Sequence, residues 1–353
     1  MERYPVYRGD SHCCYVRTLP DFLEVTGSQG ERHYFWLGGE GVEYSGPLTR
    51  LYWEEPHTPP PWPRVTLEER VRLVAERHGD RLRGRRVMAD FSGGKDSAAS
   101  LAILSRLSEE LGFKLTAVYV HMPYLEPSRN LDVAEREAEK LGVDLLVVEA
   151  DRKRVLYYLS REGLPRRGRR WCTYLKTRAL RGAKKKLAPD YEAKAERMVE
   201  AGKRMKRLSE MLRKDTFLEG PTINVVYDLE LTDVAAIAGR AGLVHPDYLD
   251  GVPRVSCKYC PYRSLYELEA QRSEVEDEAL VEEVAYRQWR LYYSARVSWE
   301  EYWSRHLWRF PPTLAAIIAG AEPTGRDRVS LEEARELFSS IWRNPRFYGA
   351  SKP

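Results

Sequence analysis

The chain is poor in several things. Its 353 residues hold five cysteines, six methionines, three asparagines and three glutamines. Five thiols in a chain of this length do not make a disulfide scaffold, the device of small secreted domains; they are left to be metal ligands, catalytic thiols or core residues. No apolar run approaches the roughly 18 residues that a membrane span needs. The first residues, Met1-Glu2-Arg3-Tyr4-Pro5, offer no apolar signal segment, so the cytoplasm is the expected compartment. Scarce Asn and Gln beside abundant Arg and Glu is a thermophile's composition. The excess of basic over acidic residues is small, a net +4. Against these absences, 43% of the chain is hydrophobic, enough for a real core, and the length suits two or three domains.

Residues 1–55 read as a small β-rich module. Short runs such as His33-Tyr34-Phe35-Trp36-Leu37 are punctuated by Gly27, Gly30, Gly38, Gly39 and Gly46, the pattern of antiparallel strands with tight turns. The module is expected to be a structural cap, with an RNA-binding appendage as the other reading. Its Cys13-Cys14 pair reads as core thiols, although His12 and His33 nearby leave zinc open. Residues 56–64, Pro-His-Thr-Pro-Pro-Pro-Trp-Pro-Arg, exclude helix and inner strand and read as a stiff linker. Thr66 with Glu69 is a capping box that opens a helix. Apolar runs at 115–120 and 143–148, with a helical pattern at 132–141 between them, continue the strand–helix alternation begun at 87–111. A further strand is expected at 223–227, then a helix over 233–241 capped by Thr232 and a loop over 242–261. The spacing predicts an α/β domain over 65–264, a doubly wound parallel sheet. Within it, 190–215 reads as an amphipathic helical insertion. Residues 265–353, with Trp289, Trp299, Trp303 and Trp308, read as a C-terminal helical region.

The stretch with most chemistry is Asp90-Phe91-Ser92-Gly93-Gly94-Lys95-Asp96-Ser97. It follows the apolar Val87-Met88-Ala89 and opens the helical pattern over 98–111. A glycine turn between strand and helix aims bare N–H groups at a helix N-terminus, where the dipole favours an anion. Gly93 and Gly94 let a phosphate come close, Lys95 adds a point charge, and Ser92 and Ser97 add hydroxyls. Asp96 caps the helix or holds a metal ion carried by the nucleotide. The spacing matches neither G-x-x-x-x-G-K-[ST] nor G-x-G-x-x-G. His121, at the end of the second strand, is a candidate contact to ribose or base; the plain alternative is a bond to a backbone carbonyl.

A second constellation lies downstream. Cys172 sits in Arg170-Trp171-Cys172-Thr173, and Cys257 and Cys260 form a C-x-x-C before Pro261. The three sulfurs could hold an iron–sulfur cluster or zinc, act as a thiol relay, or be inert; all-sulfur ligation favours iron–sulfur over zinc. Residues 152–186 carry fourteen Lys or Arg and one carboxylate, Glu162. Such a run is either a solvated face or a site for nucleic-acid or nucleotide phosphates. Arg169, Arg170, Lys176 and Arg254 are the candidate substrate or phosphate contacts; Arg254 and Lys258 flank the thiols, where they either depress a thiolate pKa or are plain surface charge.

The octet resembles the S-G-G-x-D-S PP-loop of the N-type ATP pyrophosphatases. That class includes phosphoadenosine-phosphosulfate (PAPS) reductases, sulfate adenylyltransferase small subunits and tRNA-thiolating enzymes. The resemblance to the PAPS reductase family extends over roughly 65–265, through Arg170 to Lys176, Asp233-Val234, His245-Pro246-Asp247-Tyr248-Leu249-Asp250-Gly251 and the C-x-x-C-P. It implies an adenine nucleotide α-hydrolase-like fold. It also implies ATP with Mg2+, cleaved between the α and β phosphates by transfer of the adenylyl group, with Lys95, Asp96 and Cys172 as catalytic residues. Cys172, Cys257 and Cys260 are then the ligands of a 4Fe-4S cluster, with zinc as the alternative. Thr173 stands where iron–sulfur members often carry a second cysteine, and His121-Met122-Pro123 stands in place of their D-T-G. Reductases of phosphosulfates usually have a degenerate loop, so intact Lys95 and Asp96 favour ATP. The expected function is sulfur transfer to a tRNA base or related acceptor. Reduction of PAPS or adenylyl sulfate is the second reading and nucleotide-dependent RNA binding without turnover the third. Partners expected are ATP, tRNA, a sulfur donor or thiol reductant, and a second copy of the chain.

Overall fold

A computed structural model describes residues 2–19, 22–37, 55–320 and 328–348. At the N-terminus β1 (Tyr4–Arg8), β2 (Ser11–Thr18), β3 (Phe22–Gly27) and β4 (Arg32–Leu37) form an antiparallel sheet. Gly38, Gly39 and Gly46 of the expected turns lie outside the described residues. The sheet does not stand by itself. Arg328–Val329 joins it in parallel beside β4. Its Tyr4, Val6, Val16 and Leu23 share one buried core with Leu231, Ala235, Phe338, Trp342 and Phe347. Within that core Cys13 and Cys14 are half-buried, and burial pushes the Cys14 thiol up to about 12. The Pro-rich segment is strapped down as well. Arg3 N–H donates to His57 O, Tyr15 OH to Pro59 O, and Tyr7 OH to Pro61 O.

The second sheet carries the α/β domain. Strands β5 (Arg86–Asp90), β6 (Lys114–His121), β7 (Asp144–Glu149), β8 (Tyr191–Ala193) and β10 (Thr222–Ile223) are parallel, in spatial order β7-β6-β5-β8-β10. The strand β9 (Leu218–Glu219) adds an antiparallel edge. Helices α1 (Leu67–Leu82), α2 (Lys95–Leu111), α3 (Ser128–Lys140), α4 (Arg152–Glu162), α5 (Trp171–Leu187), α6 (Gly202–Arg213) and α7 (Leu231–Arg240) connect and cover them. The chain moves outward from β5 to β7, then returns past β5 to β8. That reversal opens a crevice at the C-terminal end of β5, where doubly wound sheets bind ligands. One face of the sheet is covered by α1, α2 and α7, with Leu104 of α2 and Ile237 of α7 in one core with Val87 and Ala89 of β5. On the other, Met88 and Val118 pack on Ala183 of α5. Among the described residues no helix is long and apolar enough to cross a membrane.

Three local expectations are corrected. Residues 190–215 are not helical throughout: Tyr191–Ala193 pairs in parallel with β5, Ala193 entering the core while Glu192 turns to Lys184 and Lys194. The strand expected over 223–227 ends at Ile223, because Asn224 turns the chain, donating to Glu196 O and accepting from Val226 N–H. Thr232 does not cap α7. Glu230 does, in a capping box with Asp233, and the Thr232 hydroxyl donates to Pro60 O.

Candidate functional site

The phosphate loop is held at both ends. Phe91 N–H donates to Val118 O, which keeps the chain in the sheet to the last residue before the turn. Gly93 takes a φ of +69°, a conformation that costs any side chain. Gly94 is the N-cap of α2 and has no side chain to offer, so the first N–H groups of the helix go unserved by a cap. Ser97 Oγ accepts from Ser92 N–H at 3.2 Å and donates to Gly94 O at 2.8 Å, stitching the loop. Lys95 N–H donates to the Tyr248 hydroxyl at 2.9 Å.

Asp96 does not cap the helix. Its Oδ2 receives Lys95 Nζ at 2.9 Å and its Oδ1 receives Arg197 Nε at 2.5 Å. Burial alone would raise its pKa, but Arg197 and Lys95 overcome that and hold it at about 2. Arg197 has no exposure at all, and its other nitrogens bind Glu2. At the foot of the loop Asp90 has a buried oxygen without a partner; burial, with Glu192 nearby, pushes it up to about 7.

Arg197, Glu2, Tyr4 and Tyr248 were not singled out as site residues from the sequence. The H-P-D-Y-L-D-G turn was the one signal that pointed at Tyr248. It forms the short helix Pro246–Leu249, whose N-cap His245 is completely buried and is held well below the usual imidazole range, at about 3, by burial and by Arg129. Tyr4 enters from the N-terminal sheet. Its hydroxyl donates to Pro253 O, and its phenol feels Lys95, Glu2, Tyr248 and Asp96. Arg254 follows, facing Glu267 at 3.2 Å and feeling both Cys260 and Tyr4. Tyr4 is thus in electrostatic reach of the loop, and Arg254 of Tyr4 and Cys260.

Cys172 sits in the first turn of α5, and Cys172 and Cys257 pack against the apolar cluster of Trp171, Tyr259 and Trp308. Burial pushes Cys172 up, and Cys260 adds to it; burial likewise raises Cys257, with Lys176 opposing and Glu126 and the other two thiols reinforcing. The expectation that Arg254 and Lys258 depress the thiols therefore fails for these two. Lys258 is taken by Glu278 at 2.6 Å and Arg254 by Glu267, so desolvation wins. Lys176 instead reaches this neighbourhood, bonded to Glu126 at 3.0 Å, and Glu126 also accepts from Tyr119 OH and Met122 N–H. His121 closes β6 beside it with Nδ1 buried and without a partner. Among the described residues no three His, Cys, Asp or Glu side chains stand within reach of one ion. The three thiols are mutual electrostatic neighbours, an all-sulfur donor set of the kind that iron–sulfur clusters take.

A family model of the phosphoadenosine phosphosulfate reductase domain matches residues 86–261, from β5 through the C-x-x-C-P. Residues 86–261 belong to the PAPS reductase domain family. An uncharacterized protein from Methanocaldococcus jannaschii is 28% identical over 179 residues, covering 50% of this chain and 41% of the relative. The chain thus spans about two fifths of that relative's length. Two solved structures are similar to parts of this chain at 18% identity. The U34-tRNA thiolase NcsA from Methanococcus maripaludis with its 4Fe-4S cluster has a TM-score of 0.41, covering 64% of this chain and 74% of that one. The ammonia-dependent NAD synthetase from Campylobacter jejuni in complex with nitrate has a TM-score of 0.31, covering 49% and 70%.

Within the PAPS reductase domain the basic stretch is sorted by the fold. Arg169 is exposed and paired with Glu162 at 2.6 Å. Arg170 lies over the Tyr262 ring at 4.9 Å. Along α5, Tyr174, Arg178, Arg181 and Lys185 are exposed at helical spacing on one face, turned away from Cys172 around the helix. Tyr157 and Tyr292, about half exposed, carry Arg161 and Arg166 over their rings. The sequence showed the charge; the folding together of α4, α5 and the helix Glu278–Tyr292 shows the aromatic partners.

Proposed function

We propose that this chain is a PP-loop enzyme that adenylylates an acceptor and then exchanges the activated oxygen for sulfur, the acceptor being a tRNA base or a related oxygen. The observation that supports it most is an intact phosphate loop bonded through Lys95 N–H to Tyr248, in the segment that runs on to the C-x-x-C, where Arg254 is in electrostatic reach of Cys260. The loop glycines, Lys95 and the N-terminus of α2 would take the β and γ phosphates, with Mg2+ carried by the nucleotide. The acceptor oxygen bonds to the α-phosphorus, the bond to the bridging oxygen breaks, and pyrophosphate leaves with the electron pair. Sulfide from an external donor then attacks the carbon bearing the adenylyl group: the carbon–sulfur bond forms, the carbon–oxygen bond breaks, AMP departs with the electron pair, and the sulfide proton is lost to solvent.

Cys172, Cys257 and Cys260 would hold a 4Fe-4S cluster, which when bound supplies an open position for sulfur. Lys176, tied to Glu126 at the thiols, places a positive charge where a sulfur anion would sit. Exposed Arg170 over Tyr262 next to Cys172, with the exposed Arg and Tyr side chains along α4 and α5, suits an unstacked RNA strand, phosphates on the cations and bases on the rings. Lys95→Ala should abolish ATP-dependent pyrophosphate release in the presence of an RNA acceptor; retention of that activity would refute the mechanism. Anaerobic purification should give about four irons per chain, and Cys172→Ala should lose them. The family match itself favours one second reading, reduction of adenylyl sulfate or PAPS. Sulfite release from a phosphosulfate without ATP would decide for it.

A further inference from the structure

Arg197 is the charge at the loop that the sequence least announces. It lies between β8 and α6, completely buried, and two carboxylates hydrogen-bond its guanidinium; a third, Glu200, stands at 4.0 Å and is itself neutralised by Arg204. Asp96, from the phosphate loop, takes Nε at 2.5 Å. Glu2, from before β1, takes both terminal nitrogens, with Nη1 to Oε2 at 3.0 Å. Burying such charges is costly, and apolar packing of the same volume stabilises a fold at least as well. The location therefore matters more than the pairing. Lys95, Arg197, Asp96 and Glu2 sum to zero charge, so with Glu2 in place the loop has no spare positive charge for an incoming triphosphate. The two-pronged hold on Glu2 is also the geometry in which a guanidinium takes two oxygens of a phosphate. Glu2 stands outside the strand ladder, whose first pair is Tyr4 with Val16.

We infer that Arg197 is the second phosphate cation of the nucleotide site, and that Glu2 holds its place, leaving the guanidinium when pyrophosphate or the phosphates of ATP arrive. The N-terminal sheet is then part of the nucleotide site, through Glu2 and Tyr4, and not only a cap. The inference rests on reading the PP-loop as that site.

The test is calorimetric titration of the full chain with inorganic pyrophosphate, and separately with Mg-ATP, for the wild type and for Lys95→Ala, Glu2→Gln, Arg197→Lys and Arg197→Gln, each checked by a melting scan. Glu2→Gln should bind pyrophosphate about tenfold more tightly, because a neutral amide is displaced in place of an ion-pair partner. Arg197→Gln should bind at least about tenfold more weakly, with Arg197→Lys in between. Should Arg197→Gln fail to fold, Glu2→Gln and Arg197→Lys carry the test. Unchanged or weaker binding by Glu2→Gln, with a lowered melting temperature, would make the contact structural and overturn the inference. Weakening by Lys95→Ala without tightening by Glu2→Gln overturns this inference alone. A wild type that binds no pyrophosphate, or binds it as well with Lys95→Ala, overturns the reading of the loop too.

Discussion

Glu137 offers a sharp test of the energetics around the site. It lies on α3, the helix that follows β6 and also carries Arg129, and it is 5% exposed with neither carboxylate oxygen hydrogen-bonded. Burial pushes it from 4.5 up to about 8, and Arg136 and Lys140 oppose this too weakly. At neutral pH the folded chain therefore holds a proton that the unfolded chain has lost. Stability is unaffected below pH 4.5, falls as pH rises through the window from 4.5 to about 8, and is constant above it. At about 1.4 kcal/mol per pH unit the loss at pH 7 is roughly 3 kcal/mol. Glu137→Gln has nothing to titrate. Urea unfolding of both proteins at pH 5, 6, 7 and 8 should show the variant's advantage growing with pH, by about 2.5 kcal/mol between the lowest value and neutrality. A difference that stays flat across the series would refute the reasoning, since it would mean that the carboxyl is hydrated or paired in the folded state.

Tyr248→Phe removes the acceptor of Lys95 N–H and should cost about 1–2 kcal/mol in unfolding; saturating pyrophosphate should shrink the deficit by taking over that N–H, and a deficit unchanged by ligand would count against the anion site. Gly251→Ala should destabilise by at least about 3 kcal/mol, because its Cβ would meet Arg335 backbone at 2.5 Å with φ at +83°; a near-neutral melting temperature would show that the Leu331–Arg343 helix can move away. Replacing Arg178, Arg181 and Lys185 together by Gln should lower the slope of log K against log salt for single-stranded RNA by about 2, measured by fluorescence anisotropy. An unchanged slope would remove α5 from the RNA surface.

Much of this was legible in one dimension because it rests on local rules. The strand–glycine–helix order around Ser92 to Ser97, the capping box of Thr66 and Glu69, and the apolar runs that became β6 and β7 depend on neighbours in sequence. Tyr191–Ala193 was not legible. It is three residues long, flanked by charge, and becomes a strand because β5 already offers it a partner. Composition likewise divided the N-terminal strands from the rest, whereas burial of Tyr4 against Phe338 ties them to the C-terminal helix.

The sequence by itself determined the phosphate loop, the doubly wound sheet and the three thiols, because each is a residue type at a fixed spacing. Only the tertiary structure decided what surrounds them: Arg197 and Glu2 on Asp96, Tyr248 on Lys95, Lys176 and Glu126 at the thiols, and tyrosines under the arginines. Those contacts join residues far apart along the chain. Electrostatics and desolvation act through space, and no spacing along the chain encodes them.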